Sequence, residues 1–167
     1  RLRERDVTNV IRWVRPEGVH VTLKFLDDTP SDKERVIESA LVSTAADRPG
    51  FDLSLGPLGS FKSRRGARDQ VVWIGLSGEM AQLLELATDV DRALVAVGFP
   101  AESRPFTAHL TLGRTRRGAQ SVPSSTEDAT WPPSDGAFRV DHISLMESDL
   151  RPDGARYSRR LHIPLTG

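Results

Sequence analysis

Two segments of the sequence carry the same four-residue pattern, His20-Val21-Thr22-Leu23 and His109-Leu110-Thr111-Leu112. In an extended strand, residues i and i+2 share a face. Each histidine therefore presents beside its own threonine, while the following leucine turns the other way. Two such strands brought together place two imidazoles and two hydroxyls around one small site. That equipment suits the opening of a cyclic phosphodiester. One imidazole takes a proton from the attacking water, the other gives a proton to the departing oxygen, and the hydroxyls donate to the phosphate oxygens where charge builds up. Histidine fits both proton roles because its ordinary pKa lies near neutrality. A single His-x-Thr in a strand is ordinarily a half-buried surface pair. A repeat that includes the following leucine, each copy lying after a helical pattern, is not so easily ordinary. No carboxylate stands at ligand spacing and there is no cysteine, so no metal site is expected.

Around these four residues lie weaker candidates. Lys24 shares the predicted face of His20 and is a candidate RNA contact, with a solvated strand lysine as the plain alternative. Arg64 and Arg65, with Arg68, make a local basic loop that suits a phosphate backbone, or simply water. Phe106 and Tyr157 are candidates for stacking on a base, although packing is the commoner fate of an aromatic. Trp13 and Trp73 are assigned to the core. His142 and His162 lack a following threonine and read as structural or surface histidines.

The elements that must position these groups are legible from periodicity. Residues 1–12 read as the tail of a helix. Pro16 and Gly18 break that pattern, and residues 19–26 alternate as a strand with Val21, Leu23 and Phe25 inward. Ser31 and Glu34 form a capping box that opens a helix carrying Val36, Ile37, Ala40 and Leu41 on its apolar face. Residues 51–58 alternate as a strand ending in Gly56, Pro57 and Gly59, and residues 71–76 form the next. A second helix is predicted over 79–97, with Gly98 as its stop. Residues 108–112 are a strand, and 116–135 a long loop whose Trp131 tucks against the body. Strands over 138–146 and 156–165 flank a turn at Pro152-Asp153-Gly154. The mixture predicts an α+β fold with antiparallel sheets, and a helix before each histidine strand suggests a weak internal duplication.

Bulk composition bounds the partners. The chain has 167 residues, 38% hydrophobic and 28% charged, which suits a globular protein of one compact domain or two small lobes sharing a core. Its 23 Lys and Arg balance 23 Asp and Glu, so attraction for a polyanion must be local. The lack of cysteine suits a reducing compartment, and no run is long enough to span a bilayer. A cytoplasmic monomer without a membrane partner is expected.

Three elements resemble a known family in the right order. They are residues 12–26, Arg12-Trp13-Val14-Arg15-Pro16-Glu17-Gly18-Val19-His20-Val21-Thr22-Leu23-Lys24-Phe25-Leu26; residues 104–114, around Pro105-Phe106-Thr107-Ala108-His109-Leu110-Thr111-Leu112-Gly113-Arg114; and Leu145-Met146-Glu147-Ser148-Asp149-Leu150 with Gly154 and Tyr157. The strand Val72-Trp73-Ile74-Gly75-Leu76 fits as well. The sequence resembles the two-histidine phosphoesterase superfamily, specifically the RNA 2′,3′-cyclic phosphodiesterases once called 2′–5′ RNA ligases. The resemblance implies a single domain over 1–167 with two pseudo-symmetric lobes, each an antiparallel sheet backed by helices, around a central cleft. It implies His20 as proton donor to O3′ and His109 as proton acceptor from water, yielding a 2′-phosphate, with reverse 2′–5′ ligation as a further possibility. Thr22 and Thr111 would hold the phosphate, and Arg114 would add charge beside it. No cofactor is implied, and the partner is an RNA end bearing a cyclic phosphate. The sequence departs from the family at Asp27, where glycine is usual, at Ala108, where proline is usual, and in showing no opening apolar strand. Strict alternation also puts Arg114 on the face opposite His109, so its role requires a bulge between them. The competing functions are a phosphodiesterase of a small cyclic phosphate, such as a cyclic nucleotide or ADP-ribose cyclic phosphate, and a non-catalytic RNA- or nucleotide-binding module.

Overall fold

The computed structural model describes residues 10–62, 70–116, 136–151 and 154–167. The basic loop with Arg64 and Arg65, the loop with Trp131, and Pro152 and Asp153 of the late turn lie outside the described residues. The chain divides into two compact units. The first comprises Arg1–Val21, Ser54–Ser77 and His109–Gly136; the second comprises Thr22–Leu53, Gly78–Ala108 and Ala137–Gly167. The fold is α+β, as expected. Among the described residues, no helix is long and apolar enough to cross a membrane.

The first unit is built on strands. β1 (Ile11–Trp13) pairs antiparallel with β4 (His109–Thr115), and β4 pairs antiparallel with β3 (Gln70–Gly78). With β2 (Phe51–Lys62) and β5 (Ala137–Val140), the sheet order is β1-β4-β3-β2-β5, of which β5 and the first three residues of β2 are counted in the second unit. Ile11, Val72, Ile74 and Thr115 are buried, whereas Arg12 and Arg114 are exposed, so the two faces have opposite character. The helix expected over 1–12 is corrected for its described residues. Ile11 to Trp13 alternate buried and exposed and complete β4's backbone hydrogen bonding, a tertiary pairing that the mixed charged pattern does not reveal.

The strand expected over 19–26 is also corrected. A 3₁₀ turn at Pro16–Gly18 leads to one isolated antiparallel bridge, Val21↔Leu110, with no continuing ladder. Beyond it, Phe25 is 72% exposed rather than packed inward. Asp27 adopts φ 51, a left-handed turn that ends the extended run. β4 begins at His109, the position in register with Thr22, so β4 does not run on beside the residues that follow.

The second unit packs α1 (Glu34–Ala45) and α2 (Met80–Ala96) with the hairpin β6 (His142–Arg151) and β7 (Gly154–Pro164). Ile37 and Leu41 of α1, with Leu83, Leu86 and Leu94 of α2, supply its core. Leu84 of α2 is exposed. The capping box does not form. Ser31–Lys33 make a 3₁₀ turn instead, and the Glu34 carboxylate accepts from Arg160 Nη2 at 2.9 Å rather than reaching back to the backbone. Gly98 behaves as expected. Its φ of 99 lets the backbone N–H of Phe99 reach the Leu94 carbonyl at 3.0 Å, which closes the helix end. The strand expected over 138–146 proves to be two strands in different sheets, divided at Asp141. The apolar alternation shifts phase at that point, from Phe138 and Val140 to Ile143 and Leu145, across the polar step Asp141-His142.

Candidate active site

The site is built on β4. His109 and Thr111 lie two apart and share the face opposite buried Gly113 and Thr115. Against β3, His109 pairs with Gly75, Thr111 with Trp73 and Arg114 with Val71. Between Trp73 and Val72 the register slips: Trp73 stands opposite Thr111 and Val72 opposite Gly113. Leu112 is therefore an extra residue on β4, a bulge that reverses the alternation beyond it. Cross-strand partners point to one face, and Val71 and Trp73, two apart on β3, share theirs. Arg114 consequently stands on the same face as His109 and Thr111.

The imidazole of His109 sits in an aromatic corner. The Phe61 ring meets it edge-on at 5.2 Å between centroids, and the Trp73 ring lies 6.3 Å away at 67°. Phe61 and Trp73 are themselves stacked at 4.9 Å. Glycines make this possible. A Cβ on Gly59 would lie 2.2 Å from Trp73 Cζ2, inside the ring's contact surface. A Cβ on Gly56 would lie 3.0 Å from the Gly75 backbone. Gly56 and Gly59 are thus not strand terminators. β2 runs through both, because there the neighbouring backbone and indole come too close for a side chain.

His20 reaches the same sheet by a different route. The antiparallel bridge Val21↔Leu110 sets His20 against Thr111 in register, along the edge of β4 away from β3. Its Nδ1 lies 2.9 Å from the Gly18 carbonyl oxygen. A carbonyl only accepts, so Nδ1 carries the hydrogen and Nε2 is the nitrogen that can gain or lose a proton. The 3₁₀ turn at Pro16–Gly18 thereby orients the ring.

The remaining candidates fall elsewhere. Thr22, Lys24, Phe106 and Tyr157 belong to the second unit. The ammonium of Lys24 pairs with Asp91 and donates to the Pro100 carbonyl at 2.6 Å. Its side chain is 4% exposed, so the expected RNA contact is replaced by a structural ion pair. Phe106 is half-buried, and Tyr157 is exposed on β7 opposite Ser148. Among the described residues, no group of three or more His, Cys, Asp or Glu is placed to hold a metal ion. Sequence reasoning assigned Trp73 to the core and gave Phe61 no role beside His109. The signal available was the pair of glycines inside the alternating run of β2.

An antiparallel sheet that carries imidazole, hydroxyl and guanidinium on one face, joined to a helix-backed hairpin unit, defines an α+β protein equipped for proton transfer beside an anion. Comparison with known proteins narrows this class. The chain belongs to the 2′-5′ RNA ligase superfamily, whose profile matches residues 9–152. It is 33% identical over 156 residues to an RNA 2′,3′-cyclic phosphodiesterase of Geobacillus stearothermophilus, covering 93% of this chain and 48% of that protein. The chain thus spans about half the length of that relative. To the RNA 2′,3′-cyclic phosphodiesterase of Methanothermobacter thermautotrophicus it is 32% identical over 150 residues, covering 89% of this chain and 79% of that protein. The apo crystal structure of E. coli LigT superposes with a TM-score of 0.75 at 25% identity, covering 99% of this chain and 87% of that one.

Proposed function

We propose that the protein hydrolyses RNA 2′,3′-cyclic phosphate ends to 2′-phosphate ends by histidine acid–base catalysis. Water attacks phosphorus while His109 takes its proton. The P–O3′ bond breaks, and His20 delivers a proton to O3′. Thr111 and Arg114 hold the non-bridging oxygens, where negative charge grows. Thr22 takes the matching role on the strength of the repeated motif. The observation that carries this reading is the bulge at Leu112, which gives His109, Thr111 and Arg114 a common face beside the bridge that brings in His20. The names of the relatives support the substrate class, and the sense of the proton transfers rests on the family resemblance. Lys24 is left out because its ammonium is engaged with Asp91.

The test is turnover of a cyclic-phosphate-ended oligoribonucleotide, with the product end identified. Formation of the 2′-phosphate is expected, and it persists in excess chelator because the proposed groups are imidazoles, hydroxyls and a guanidinium. A 3′-phosphate product, or loss of activity in chelator with rescue by zinc or manganese, refutes this mechanism.

A further inference from the structure

We infer that Arg12 forms a second phosphate subsite beside Arg114, which takes the internucleotide phosphate next to the terminal cyclic phosphate of an oligonucleotide; this rests on the function proposed above. Arg12 is the middle residue of β1 and the cross-strand partner of Arg114. Antiparallel partners point to one face. The bulge at Leu112 has already turned Arg114 to the face of His109 and Thr111, so Arg12 joins that face too. Both arginines are exposed, while Ile11, Gly113 and Thr115 beside them are buried. Arg114 and Thr111 stand opposite Val71 and Trp73, two positions apart on β3 and roughly 7 Å at the rise of an extended strand, so both reach one phosphate. Arg12 lies one strand further out, roughly 5 Å beyond Arg114 on the side away from β3, where it meets the next phosphate of a strand rather than the one held at Thr111. The planar guanidinium fork makes two-point contact with phosphate oxygens.

The test compares a mononucleoside 2′,3′-cyclic phosphate with a dinucleotide ending in the same group, on the wild type, Arg12→Gln and Arg12→Lys. The wild type should favour the dinucleotide in kcat/KM. Arg12→Gln should lower that preference about tenfold, the scale of one charge-assisted hydrogen bond, and Arg12→Lys should restore part of it. The log–log salt slope of dinucleotide binding should flatten by about 0.7, as for one single-strand phosphate contact. No preference in the wild type, an equal fall on both substrates, or an unchanged ratio overturns the subsite. Anisotropy of a labelled oligonucleotide ending in a plain 3′-phosphate reads the subsite without turnover, and weaker binding to Arg12→Gln is expected. If the wild type turns over neither substrate while that binding difference remains, the proposed function fails and the subsite stands; equal binding by the two proteins removes the subsite.

Discussion

The two imidazoles differ in what holds them. His20 is tied through Nδ1 to a backbone carbonyl in a 3₁₀ turn, and His109 is cornered by the rings of Phe61 and Trp73. A backbone acceptor fixes which nitrogen of His20 faces outward. Aromatic edges fix the His109 ring without competing for its protons. Such unlike surroundings suit unlike tasks. Replacing either histidine by alanine should lower kcat on the order of a hundredfold to ten-thousandfold. The double variant should be far less than multiplicatively worse, because acid and base act on one transition state. A substrate whose 3′ bridging oxygen is replaced by sulfur leaves as a thiolate and needs no proton. It should rescue His20→Ala and leave His109→Ala crippled. Single-turnover rates on both substrates check this, and rescue of the His109 variant reverses the assignment.

Among the elements, β2 and β4 bring the chemistry together, each by one local departure from regular strand. In β4 the extra residue Leu112 turns Arg114 to the face of His109. In β2 the bare Cα of Gly59 admits the indole of Trp73. Gly59→Val should push that indole off its place, costing roughly 1–3 kcal/mol of stability by overpacking. It should also lower kcat more than it raises KM, because the supported group is His109 rather than a binding residue. Urea unfolding and steady-state kinetics read the two effects. Wild-type kcat in a folded Gly59→Val protein would remove the aromatic corner from the mechanism. Alternation in the sequence predicted both histidine segments as strands, and it predicted that Arg114 required a bulge. The bulge itself leaves no mark in composition, because which residue is extra depends on the partner strand. The predicted strand after His20 failed for the same reason: Thr22 to Leu26 have the pattern but no ladder.

For the molecule as a whole, charges inside the second unit are spent on stability. The Lys24 ammonium anchors the segment after Thr22 to α2 through Asp91, whose Oδ1 also accepts from the Glu102 backbone at 3.1 Å. The hydrogen bond from Lys24 holds the Asp91 carboxyl below its ordinary value of 3.8, with Glu102 assisting and burial opposing. A carboxyl with a lowered folded pKa contributes stability that is present above its unfolded value and lost as pH falls through the folded one. Asp91→Asn should therefore cost roughly 1–3 kcal/mol at neutral pH. The difference between variant and wild type should shrink as pH falls below 3.8, the ordinary value of the carboxyl. Thermal melts from pH 7 to pH 2.5 check this. A difference that stays constant would show that the pair does not act through its charge.

The sequence by itself determined the residue types of the site, their spacing in two His-x-Thr repeats, the α+β class and the helix end at Gly98. These follow from rules local to a few residues: side-chain period, turn chemistry and functional-group chemistry. The tertiary structure decided that Ile11 to Trp13 are a strand, that residues 137–151 divide between two sheets, and that Lys24 faces Asp91 rather than solvent. It also decided that Arg114 turns to the face of His109 and that Phe61 and Trp73 flank the imidazole. Each of these depends on a partner distant in the chain. A strand's register, and hence the direction of every side chain past a bulge, is set by the neighbouring strand's hydrogen bonds.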